Sequence, residues 1–224
     1  MPTDPTTQTL VLCSGGLRSL VALALVKGEE AGQRVTLLHV DDGRPSRKRA
    51  ADAAARQAEA FQVDRIAELS MPHVYDRHAA GNATAPGGSL AAAQVVLAAE
   101  CFAVRHRIGR VVYPASCGLD TDPLGRAIER LLLVEQLAAA DVPQGHGDAE
   151  NRTVPRVETP LLELTDQQIV ELGGQLGADF GMSWSCTEDS PHPCQVCSAC
   201  RRRKTAFDRA GLEDPLFKAR PAAA

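Results

Sequence analysis

Four of the chain's seven cysteines, Cys186, Cys194, Cys197 and Cys200, fall within fifteen residues in the spacing Cys-x7-Cys-x2-Cys-x2-Cys. Closely spaced thiolates, one of them brought in by a short loop, can close a tetrahedron around zinc. The last three also have a spacing that suits an iron–sulfur cluster. Four thiolates around a divalent ion leave a net charge of about −2, and Arg201, Arg202, Arg203 and Lys204 follow directly. That basic run reads as a solvated helix face balancing the metal. A four-cysteine site leaves no open coordination position, so its expected role is structural. His192 lies inside the module, but four cysteines already suffice as ligands.

The second chemical feature is the turn Ser14-Gly15-Gly16-Leu17-Arg18-Ser19. Small residues let a backbone approach an anion closely, and the first N–H groups of a following helix lack internal partners. The hydroxyls of Ser14 and Ser19 add donors. A phosphate fits such a turn, although Ser-Gly-Gly also serves as a plain strand-to-helix connection. Asp41 and Asp42, at the end of the second apolar run, are carboxylates, either of them able to hold Mg²⁺ beside it. Among the histidines, His39, His73 and His78 fall toward the ligand side and read as structural.

These residues need elements to hold them. Apolar, β-friendly runs at 9–13, 35–40 and 66–69 alternate with helical patterns over 17–25 and from Ser46, as cap, to about Phe61. Strands this apolar argue for a parallel sheet covered on both faces. Residues 71–89 are irregular and suggest a functional or mobile loop. A helix over 90–106, a strand at 111–113, a helix over 123–140 and a loop over 141–151 follow. A short strand at 156–160 and a helix opened by the capping box Thr165-x-x-Gln168 precede the cysteine module. The turn 14–19 then lies at the C-terminal end of the first strand, where parallel α/β sheets bind ligands. Residues 221–224 read as a frayed tail.

The chain has 224 residues, 44 % of them hydrophobic and 23 % charged, which excludes wholesale disorder. A formal charge of −4 and only 4 % aromatics argue against a nucleic-acid binder. The start of the sequence lacks a signal peptide's basic and apolar regions, and no segment offers the ~20 apolar residues of a membrane span. A cytoplasmic chain with reduced thiols is expected, divided into a nucleotide-binding α/β domain over 1–155 and a helical, metal-binding segment over 156–224 packed on it.

Taken together, these pieces resemble the 7-cyano-7-deazaguanine synthase family (QueC/ExsB) of the N-type ATP pyrophosphatases. The turn from Cys13 to Ser19 is similar to the family's Ser-Gly-Gly-x-Asp-Ser loop, and Val40-Asp41-Asp42-Gly43 stands where the family has Phe-Asp-Tyr-Gly. Glu158-Thr159-Pro160-Leu161 and Trp184-Ser185-Cys186, with the four cysteines, carry the most specific likeness. The resemblance implies a doubly wound, adenine nucleotide alpha hydrolase-like sheet, ATP and Mg²⁺ at the loop, one structural zinc and a homodimer. It also implies that 7-carboxy-7-deazaguanine is activated by ATP, takes ammonia to the amide and is dehydrated to the nitrile. A related carboxylate would follow the same chemistry.

The chain departs from the pattern in its phosphate and substrate residues. Arg18 puts a cation where the family carries aspartate; arginine pairs with phosphate directly but holds no metal. Of the basic residues expected after Gly43, Arg44 remains, followed by Pro45 and Ser46. The family's Pro-Gly-Arg-Asn reads Pro86-Gly87-Gly88-Ser89, and its Tyr-Pro-Asp-Cys-Arg segment is not recognisable after the fourth strand. The alternative expectation is therefore a non-catalytic family member that keeps fold and metal and binds a nucleotide or a partner.

Overall fold

In the computed structural model, residues 8–29, 33–72, 74, 90–140 and 154–218 are described. Five strands, β1 (Gln8–Cys13), β2 (Arg34–Asp41), β3 (Arg65–Ser70), β4 (Arg110–Val112) and β5 (Arg156–Glu158), form one sheet in the order β3-β2-β1-β4-β5. Every pairing is parallel. The helices are α1 (Leu17–Glu29), α2 (Arg47–Ala60), α3 (Leu90–His106), α4 (Thr121–Ala140), α5 (Asp166–Gln175) and α6 (Ser198–Ala210). The loops expected over 71–89 and 141–151, with His73, His78 and the 221–224 tail, fall almost wholly outside the described residues.

The strand periodicity of two sorts the core into two layers. Val11 and Cys13 of β1, with Val35 and Leu37 of β2, face a layer containing α1, Ile169 and Val170 of α5, and Phe207 of α6. Leu10 and Leu12, with Leu38, face the other layer, against Ala99 and Ala103 of α3. Helices on both faces make this a doubly wound sheet, as expected. Sequence order reverses between β1 and β4, so a crevice opens beyond their C-terminal ends. The Ser14–Ser19 turn sits there.

Two local expectations meet different outcomes. The Thr165 box forms completely: Gln168 N donates to Thr165 Oγ1 at 3.3 Å and Thr165 N donates to Gln168 Oε1 at 2.9 Å. Ser46 precedes α2 as expected, but it does not cap. Its φ of −81° and ψ of 13° are not extended, and its side chain bonds none of the first-turn N–H groups. A serine cap ordinarily needs β-region backbone to aim its oxygen at them. A 3-10 turn at Phe180–Met182, capped by Asp179 on Gly181 N at 2.9 Å, adds an element that the sequence pattern does not predict. Among the described residues no helix is long and apolar enough to cross a membrane.

Glu100 of α3 is fully buried, and neither carboxylate oxygen has a hydrogen-bond partner among the described residues. Burial first, then the Glu135 charge on α4, pushes its carboxyl up from 4.5 to about 7. Between those values the native chain binds more protons than the unfolded one, so stability falls as pH rises. Glu100→Gln removes this slope. From pH 5 to pH 8 the variant should gain about 2 kcal/mol on the parent chain in urea unfolding; an unchanged difference would show that Glu100 does not titrate in this window.

Candidate phosphate loop and metal centre

The Ser14–Ser19 turn, the candidate phosphate loop, is held from three sides. Gly15 has φ +70°, and a Cβ there would lie 2.1 Å from the Ala50 carbonyl of α2. Its own carbonyl accepts from Trp184 N at 2.8 Å and from Gln57 Nε2 at 3.1 Å. Gln57, fully buried on α2, also accepts from the Cys13 thiol at 3.4 Å. Burial pushes that thiol up to about 11, against the Gly15 N–H bond, so Cys13 is a neutral packing group at pH 7. Leu17 opens α1 and is buried, and Ser19 spends its hydroxyl on Gly16 O at 3.0 Å. Ser14 is exposed, its Oγ 3.4 Å from Gly16 N. Ser14 and the half-buried Gly16 therefore form the accessible part of the turn, while Gly15 is buried behind them.

Arg18 reaches across the crevice instead of into the turn. Its Nε and Nη2 both donate to Asp166 Oδ1, at 3.2 and 2.7 Å, in a partly exposed ion pair at the first turn of α5. Tyr113 and Cys117, in the segment after β4, lie within the field of this guanidinium. Burial pushes the Tyr113 hydroxyl up to about 12 and raises the Cys117 thiol, while Arg18 pulls both the other way. Arg202 of α6 faces the same pair and is lowered by burial and by Arg18, with Asp166 and Cys197 opposing. A cation, a carboxylate and a second cation thus stand together at the mouth of the crevice.

Asp41 ends β2 two residues beyond His39, whose strand partner is Cys13, so it flanks the turn from the neighbouring strand. Its Oδ1 accepts from Gly43 N at 2.9 Å. Asp42 is tied to Arg44, whose Nε lies 2.8 Å from Oδ1. Burial would raise the Asp42 carboxyl, but Arg44 outweighs it and holds it low. His39 is buried with Nδ1 2.9 Å from Cys13 O, a structural place.

Cys186, Cys194, Cys197 and Cys200 present four sulfurs within 4.8 Å of one another and could hold a metal ion. Backbone N–H groups of Cys194, Cys197 and Cys200 donate to the sulfurs of Cys186, Cys194 and Cys197 at 3.3–3.4 Å. Donors aimed at sulfur favour thiolate, the form that binds metal. Cys197 caps α6; burial opposes its ionisation, but the Thr187 and Cys200 donors win and hold it low. The all-sulfur donor set fits a soft or borderline ion with closed tetrahedral coordination.

The basic run is a solvated face only in part: Arg201 and Lys204 are exposed, but the run also turns inward. Arg203 is buried, with Nε and Nη2 on Asp214 at 2.6 and 2.9 Å, Nη1 on Ser183 Oγ at 2.7 Å and Nη2 on Phe180 O at 3.1 Å. A helix has an inner face even in a run of four cations, and here Arg203 falls on it. Lys204 pairs with Asp208 at the surface. Gln57 and Asp166 also shape the site, beyond the residues that motif and spacing point to, and Trp184 and Arg202, marked by motif and by charge, take up places beside the turn that the sequence does not indicate. A buried polar residue inside an Ala-rich helix is the available signal for Gln57. Nothing local marks Asp166 as the partner of a residue 148 positions earlier.

The family model for queuosine biosynthesis protein QueC matches residues 135–211, the stretch holding all four cysteines. A 7-cyano-7-deazaguanine synthase of Methanopyrus kandleri is 32 % identical over 92 % of this chain and 96 % of its own length. One from Chlorobium chlorochromatii is 28 % identical over 96 % of this chain and 97 % of its own. Among solved structures, NMN synthetase from Francisella tularensis aligns at a TM-score of 0.47 and 15 % identity, covering 98 % of this chain and 91 % of that one. Full-length identity of this size, with the cysteine module inside the matched region, means that the chain belongs to the 7-cyano-7-deazaguanine synthase family.

Proposed function

We propose that this chain makes 7-cyano-7-deazaguanine from 7-carboxy-7-deazaguanine, ammonia and ATP. The observation that carries the reading is the Ser14–Gly16 turn at the β1/β4 switch point, in a chain with full-length family identity. A carboxylate resists ammonia until one oxygen becomes a leaving group, and ATP supplies that change. The amide oxygen needs the same treatment before it departs to leave a nitrile. Backbone donors of the turn, with Ser14, offer charge stabilisation at the phosphates. Asp41, at the end of β2, is the carboxylate that would hold Mg²⁺. The cysteine cluster would hold one zinc, and its role is to fix the segment carrying Trp184 against Gly15.

The Arg18–Asp166 pair favours a second reading, in which this ion pair spans the crevice beside the loop and the chain binds without turnover. The deciding experiment supplies metal-loaded protein with ATP, Mg²⁺, ammonia and 7-carboxy-7-deazaguanine, and follows the nitrile by mass spectrometry. Product formation is expected. No product, with activity or tighter ATP binding gained in Arg18→Asp, would replace the first reading by the second.

A further inference from the structure

Six buried side-chain polar atoms lack a hydrogen-bond partner among the described residues, and three of them belong to one neighbourhood: Ser46 Oγ, Arg49 Nε and Trp184 Nε1. All three can donate. Ser46 stands at the cap of α2 and Arg49 at the third helical position, so they share a face one turn apart. The Arg49 guanidinium lies over the Trp184 ring, 5.2 Å from its centroid. Ser46 is 1 % and Trp184 8 % exposed, so solvent does not satisfy these groups.

The polarity of this helix start is inverted. A capping box puts Glu or Gln at the third position, where it accepts from the cap, as Gln168 does in α5 of this same chain. Here the third position is a cation. The first turn holds Arg47, Lys48 and Arg49 and no acidic residue, although a helix N-terminus already carries about half a positive charge. Of the carboxylates near in sequence, Asp41 is engaged by Gly43 N and Asp42 by Arg44, while Asp52, one turn further along α2, is exposed. Donors and positive charge gather at this helix start, and no acceptor among the described residues meets them.

We propose that the start of α2 is an oxyanion site of the phosphate class, distinct from the Ser14–Gly16 turn, formed by Arg49, Ser46 and Trp184. Arg49 is only partly buried, and Arg47 and Lys48 are exposed, so an anion arrives through the guanidinium. A tetrahedral oxyanion offers acceptors to the guanidinium, the hydroxyl and the indole together, and its charge suits the helix terminus. The site lies behind the turn, separated from it by Ala50, whose carbonyl backs Gly15. The anion is either free phosphate or pyrophosphate, or a phosphate of a bound nucleotide.

Trp184 is the chain's single tryptophan, so its fluorescence reports this site. Inorganic phosphate, titrated into the purified metal-loaded chain, should give a saturable change in Trp184 emission. Arg49→Glu, which restores an acidic third position, should raise the midpoint at least tenfold, and Arg49→Gln serves if that variant folds poorly. Ser14→Ala should leave the midpoint within twofold. A parallel ATP titration identifies the source: an ATP midpoint that moves with Arg49 marks a nucleotide phosphate, and one that stays marks the free ion. No saturable response, an unmoved phosphate midpoint in the Arg49 variants, or an equal shift in Ser14→Ala overturns the proposal. Nitrile formation is read separately, so turnover beside an unmoved midpoint sinks this site alone.

Discussion

Gly15→Ala is expected to cost on the order of 4 kcal/mol of stability and to abolish nucleotide binding, while Gly28→Ala in the same stretch is neutral or stabilising. Two independent penalties add at Gly15. Its φ of +70° is left-handed, a conformation that costs an alanine about 1–2 kcal/mol. The added methyl would also stand 2.1 Å from the backbone oxygen of Ala50, and no rotamer can relieve a contact with backbone. Either the turn or α2 must move, at a cost of about 1–3 kcal/mol as in overpacked cores. Gly28 is exposed in α1, and a Cβ there would meet nothing within 4 Å, so alanine gains about 0.5–1 kcal/mol of helix propensity. Urea unfolding of both variants separates the effects. A Gly15→Ala chain with parental stability would mean that the turn is not packed on α2 as described.

That contrast also marks how far the residues can be read in order. Strand periodicity separates Leu10 and Leu12 from Val11 and Cys13, and it places the Ser-Gly-Gly turn at a strand end, because those relations are local. Cysteine spacing brings four sulfurs together for the same reason: a Cys-x2-Cys-x2-Cys stretch has few ways to fold. The long-range polar partners are not legible in this way. Arg18 reads as a free cation until the fold sets Asp166 against it. Arg203 reads as one more surface charge until Asp214, Ser183 and Phe180 close around it. Ser46 is the right residue type for a cap but lacks the backbone angles, which depend on how the 42–46 turn packs. Polar pairing across the chain depends on tertiary placement, and neither composition nor spacing encodes it residue by residue.

Removing the metal that the cysteine cluster would hold should unfold the C-terminal segment and loosen the Ser14–Gly16 turn together. Structural zinc in small domains contributes an apparent ~10–16 kcal/mol at neutral pH; here the sheet keeps its own core, so a loss on the order of 5 kcal/mol is expected. Without a cation, thiolates so close together repel, and protonating them abandons the N–H bonds that orient them. Cys186 and Cys200 pack with Trp184 and Ala53, so disorder there reaches α2. Trp184 N also donates to Gly15 O at 2.8 Å, which links the cluster to the turn through one residue. Chelation should therefore red-shift Trp184 emission, lower Tm by more than about 10 °C and weaken ATP binding. Cys200→Ser should reproduce all three, because a single buried ligand lost opens the tetrahedron. If emission and ATP affinity stay unchanged after complete metal removal, confirmed by elemental analysis, the cluster is mechanically separate from the turn. The role assigned to it as the support of Gly15 would then fall.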